Sequence, residues 1–123
     1  MHNLSVRGGD SASLSTVVGE VSNVFGQVYR TILSSPNGVF IFLIALPNRP
    51  GALARLASVL AELGLNLGLN LLLTYTYVLN EELAMALLVY EAKDGLFEKA
   101  LEELRKGGAV VREAYEVKVT KRS

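Results

Sequence analysis

The residues best suited to chemistry are Asn48, Arg49, Pro50, Gly51, Ala52 and Leu53. They join an uninterrupted apolar run, Val39 to Leu46, to a segment with helical periodicity, and so read as a strand-to-helix turn. Pro50 suits the first helical position, where its missing N–H costs nothing. The N–H groups opening that helix have no internal acceptor, and the helix dipole adds partial positive charge there. Gly51 lets a ligand approach the backbone, and a carboxylate matches such a helix end. Asn48 brings an amide that can both donate and accept. Asn66, expected just past the far end of the helix and opening the next strand, could accept from an ammonium group. An α-amino acid combines these features, with its carboxylate on backbone N–H groups and its ammonium on side-chain carbonyls. Its side chain would enter an apolar slot near Leu46 and Leu69. A ligand-free reading also fits, with Asn48 and Pro50 as turn and cap residues and Asn66 as a left-handed residue after a glycine cap.

Other chemistry finds few residues. The one histidine, His2, falls in a polar, Gly/Ser-rich stretch. Glu98, Glu102 and Glu103 lie on a solvated helix face, and Glu81 and Glu82 in a turn, so general acid–base catalysis has no framed pair. No cluster has metal-ligand spacing, and no phosphate-binding glycine loop occurs. Twelve basic and twelve acidic residues leave a formal charge of zero, without a nucleic-acid footprint or polybasic membrane patch. The absence of cysteine removes thiol chemistry and fits an intracellular protein. The apolar stretch from Leu63 to Leu79 is interrupted by glycine, asparagine and threonine and reads poorly as a membrane span. The expectation is a cytoplasmic, non-enzymatic protein without cofactor or metal.

Several elements must hold the turn in place. At 123 residues the chain suits one domain. Residues 1–14 read as a flexible tail. Residues 15–37 read as an N-terminal helix and linker, with Val17, Val21, Val24, Val28 and Ile32 at helical spacing and Phe25 widening the stripe. Val39 to Leu46 reads as a central strand buried on both faces. The helix after the turn should bury Leu53, Leu56, Ala57, Leu60 and Leu63 and end on Gly64 as a left-handed cap. Beyond Asn66 the period becomes two, with Leu67, Leu69, Leu71, Leu73, Tyr75 and Tyr77 on one face and Gly68 marking a bulge. Leu79 to Glu82 is a turn, and Leu83 to Tyr90 pairs back as a hairpin. Asp94 should cap a helix carrying Phe97, Ala100, Leu101 and Leu104, stopped by Gly107-Gly108. Ala109 to Val119 reads as an edge strand with Val111, Tyr115, Val117 and Val119 inward. The order βαββαβ predicts an α+β, ferredoxin-like sandwich over residues 38–120, with both helices on one face of a four-stranded sheet and an extra N-terminal helix. A sheet this apolar on both sides needs a second cover from that helix, another subunit, or both.

The apolar strand, Asn48-Arg49-Pro50-Gly51-Ala52-Leu53, the helix and Gly64-Leu65-Asn66-Leu67 together resemble an ACT domain, the small amino-acid-sensing regulatory module. The resemblance covers roughly Val39 to Val119. It extends to the serine-sensing domain of phosphoglycerate dehydrogenases, to homoserine dehydrogenases and to acetolactate synthase regulatory subunits. It implies domains paired side by side as a homodimer or higher oligomer, with the effector at the subunit interface. It also implies that Asn48 and Asn66 contact the amino acid. Leu46 stands where that serine-sensing branch has a histidine contacting serine, which implies a more apolar pocket and a branched or aliphatic ligand. The family's usual catalytic domain is not found in the chain. The expectation is therefore a stand-alone amino-acid-binding regulator of a separately encoded enzyme of amino-acid metabolism. The alternative is an assembly module without a small-molecule ligand.

Overall fold

A computed structural model describes residue 23 and residues 25–118. After a helical stretch at 25–34, here α1, the elements run β1 (Val39–Pro47), α2 (Ala52–Leu67), β2 (Leu71–Val78), β3 (Leu83–Glu91), α3 (Phe97–Lys106) and β4 (Val110–Val117). The strands form one sheet in the order β2-β3-β1-β4, antiparallel at every pairing. This is the ferredoxin-like α+β arrangement, and β1 is central as its unbroken apolar sequence requires.

Alternation along β1 sends Phe40, Phe42, Ile44 and Leu46 to one face, where α2 and α3 cover them. Leu56, Val59 and Leu63 from α2 meet Ala100, Leu101 and Leu104 from α3 over Ala86, Leu88 and Tyr90 of β3. Phe40, Phe42 and Phe97 pack as an aromatic cluster within this core. The opposite face carries Ile41, Leu43, Leu73, Tyr75 and Leu87, all half-buried.

Of the helix expected over residues 15–37, residues 25–34 are helical, while its start and the tail 1–14 lie outside the described residues. Val28 and Ile32 are half-buried, but Phe25, Tyr29 and Leu33 are exposed, so Phe25 does not belong to a buried stripe.

Local corrections follow from where the backbone twists. α2 does not stop at Gly64; it continues through Asn66 to Leu67 and is capped by Gly68, the residue with left-handed φ 63. Leu67 packs against the core, and the helix runs past Gly64, a glycine that has no need of the left-handed region. Leu53 is 67 % exposed and Ala57 is exposed, so the buried stripe is Leu56, Val59 and Leu63. In β2 the register shifts between Leu71 and Leu73, which pair with Tyr90 and Val89. The bulge therefore falls at Leu72 and not Gly68, and it sets Leu71 and Leu73 on opposite faces. A second bulge at Arg112 breaks the alternation of β4. Val111 turns toward the helices while Tyr115 is exposed; Val119 lies outside the described residues. Asp94 does not cap α3, whose N-cap is Leu96 without a side-chain hydrogen bond.

Candidate functional site

The turn after β1 is built by backbone bonds. Asn48 N–H donates to Glu82 O at 2.9 Å, Arg49 N–H to Pro47 O at 3.0 Å and Ala52 N–H to Arg49 O at 3.1 Å. The helix therefore begins at Ala52, two residues later than Pro50 suggests, with Gly51 as N-cap at φ 90. That left-handed angle demands glycine, and no side chain caps the helix. Ala52 N–H is already engaged, but the N–H groups of Gly51, Leu53 and Ala54 meet no acceptor among the described residues. The first turn also holds no acidic residue to offset the dipole.

Asn48 clips two turns together. Its Nδ2 donates to Asn80 O at 3.0 Å and to Glu81 O at 3.4 Å. The hairpin turn is itself held by Asn80 Oδ1, which accepts from the N–H groups of Glu82 and Leu83 at 2.8 Å each. With its donor committed, the side chain of Asn48 has only its carbonyl oxygen to offer, which suits an ammonium and not a carboxylate.

These elements enclose a cleft of about 450 Å³ that takes in Leu46 and every residue from Asn48 to Leu53. Its other wall comes from Thr76, Tyr77, Val78 and Ala84 of the hairpin. Leu46 is buried at its base, while the exposed Leu53 serves the cleft and not the core. The hairpin wall was not foreseen in the sequence. Thr76 alternates with Tyr75 and Tyr77, but the bond from Asn48 to the 79–82 turn, which sets that wall against the helix start, leaves no mark in local sequence.

Asn66 is not brought to this cleft. It lies exposed in the last turn of α2, where its Nδ2 reaches Glu103 Oε2 on α3 at 3.4 Å. Fourteen residues of helix at 1.5 Å each separate it from Ala52 by roughly 20 Å, beyond the reach of one amino acid. Leu69 is buried in the core and does not line the cleft. No cluster of three metal-ligating side chains occurs among the described residues, and no helix there is long and apolar enough to cross a membrane. No protein-family model, curated protein or solved structure matches the chain.

Proposed function

We propose that the chain is an amino-acid-binding regulatory module of the ACT type, acting on a separately encoded enzyme. The observation that carries this reading is the coincidence, in one cleft, of unpartnered N–H groups at the α2 start, the free carbonyl of Asn48 and the apolar base at Leu46. A carboxylate takes the N–H groups, the ammonium takes Asn48 Oδ1, and an aliphatic side chain lies on Leu46 and Val78.

The cleft opens beside β2, an edge strand without a single charge from Leu71 to Val78. Such an edge invites pairing with another chain. A second copy joined there would sit against Thr76 to Val78 and close the ligand in. Ligand would then favour one subunit arrangement by its differential affinity. In this reading Asn66 keeps its bond to Glu103 and contributes nothing to its own chain's cleft.

Thermal denaturation against each of the twenty amino acids tests the proposal. An aliphatic amino acid at 100 times its Kd should stabilise by about 2.7 kcal/mol. Asn48→Ala should abolish that shift. If no amino acid shifts the melt, the alternative stands: an assembly module. The exposed Phe25, Tyr29 and Leu33 on α1 favour it, together with the uncharged edge.

A further inference from the structure

A second cleft, of about 420 Å³, lies on the other flank of the β1–α2 turn, toward β4. Arg55 from α2 and Arg112 from β4 both line it, over an apolar floor that includes Ala45 and Leu46. Two independent features of the backbone bring these two residues to the cleft. Arg112 is the extra residue of the β4 bulge, where pairing steps from Leu43 with Glu113 to Ile44 with Val111. Bulges of this kind re-aim a side chain out of the regular alternation. Arg55 lies against Gly108, a glycine at φ 88, where an added Cβ would stand 3.3 Å from Nη2. The α3–β4 connection thus holds a flat, side-chain-free surface under the Arg55 guanidinium and places Arg112 at the same cleft four residues later.

Among the described residues neither arginine forms an ion pair or a side-chain hydrogen bond. One acidic group, Glu82, also lines the cleft, and its backbone is fixed by Asn48 and Asn80. Two cations against one carboxylate leave the cleft net positive. Guanidinium forks match the paired oxygens of phosphate and carboxylate groups.

We propose that this cleft binds a small oxyanion, a phosphate or carboxylate group held between Arg55 and Arg112. It shares only Leu46 with the amino-acid cleft and does not depend on that reading. The guanidinium pair, and not a helix start, supplies the recognition.

Titration of the full chain by ¹H–¹⁵N NMR with inorganic phosphate and with succinate, against sodium chloride at equal ionic strength, decides it. Saturating shifts should gather at Gly108, Val110, Arg112 and the Arg55 side chain with at least one of the two anions. Saturation by phosphate alone or by succinate alone assigns the group. Arg55→Gln and Arg112→Gln should each weaken binding about tenfold or more, the scale of a lost charge-assisted hydrogen bond. Glu82→Gln should tighten it. Arg55→Lys and Arg112→Lys keep the charge and protect the test against a glutamine variant that fails to fold; they too should bind several-fold more weakly. Shifts that chloride reproduces, saturation by neither anion, or lysine variants with unchanged affinity would overturn the proposal.

Discussion

The two ends of α2 are finished in opposite ways. At its C-terminal end Gly68 N–H donates back to Gly64 O at 3.0 Å, and Lys93 Nζ donates to Gly68 O at 2.7 Å. Asn66 bonds to Glu103 on α3, and Leu63 and Leu69 are buried close by. At its N-terminal end no side chain caps the helix, three N–H groups meet no acceptor among the described residues, and Leu53 is exposed. Helix ends buried in a domain are normally satisfied by caps, side chains or water. Here the satisfied end anchors the helix, so the other end is free to carry unfilled donors at modest cost. The polarity matters too, because the end left open is the one that attracts an anion.

The sharpest way to break this contrast is to truncate one leucine at each end. Leu63→Ala empties a fully buried position facing α3 and the sheet and should cost about 2–5 kcal/mol. Leu53→Ala removes an exposed side chain and should stay within about 0.5 kcal/mol. Urea midpoints of the two variants measure the difference. Equal losses would mean that the first turn is anchored as firmly as the last.

The caps give a smaller and more even effect. Gly51 and Gly68 both adopt left-handed φ, so alanine at either should cost about 1–2 kcal/mol. Space is not the issue at Gly51, where an added Cβ meets nothing within 4 Å; at Gly68 it approaches Lys93 Nζ at 3.3 Å. The contrast sharpens in binding. Gly51→Ala changes the backbone that presents the open donors and should weaken the amino-acid-induced thermal shift, whereas Gly68→Ala should leave the shift unchanged.

How far these features could be read in advance depends on the range of the interactions behind them. The βαββαβ order was legible because each element has a local period, and β1 announced itself as central by lacking any polar residue. The turn at Asn48 was legible for the same reason. The extent of α2 was not, since Gly64 and Gly68 are equally plausible caps until packing of Leu63 and Leu67 chooses between them. The bulges at Leu72 and Arg112 are set by pairing with β3 and β1, which no window of local sequence contains. The place of Asn66 depends on that helix end: with α2 one turn longer, it lies on a helical surface facing α3 and not at a strand start. The hairpin wall of the cleft required the long-range bond from Asn48 to the 79–82 turn.

The satisfied end of α2 has one unmatched group beside it, and it allows the finest test. Tyr90 pairs with Leu71 where β2 begins, and its hydroxyl is buried with no hydrogen-bond partner among the described residues. Burial raises its pKa above the ordinary value of 10.0. The sign follows from linkage. Below pH 10 both folded and unfolded chains keep the proton, and stability is unaffected. Above it the unfolded chain releases a proton that the native state retains, so stability falls as pH rises toward the folded-state pKa, by up to about 1.4 kcal/mol per pH unit. Tyr90→Phe removes both the titration and the unsatisfied hydroxyl. It should therefore be neutral or stabilising by about 1 kcal/mol at pH 7 and flatten this share of the alkaline decline. Chemical denaturation of the two proteins from pH 7 to 11 provides the check. A loss of 1 kcal/mol or more at pH 7 would mean that the hydroxyl has a partner, and that the end of α2 near Tyr90 is more completely satisfied than its protein contacts alone account for.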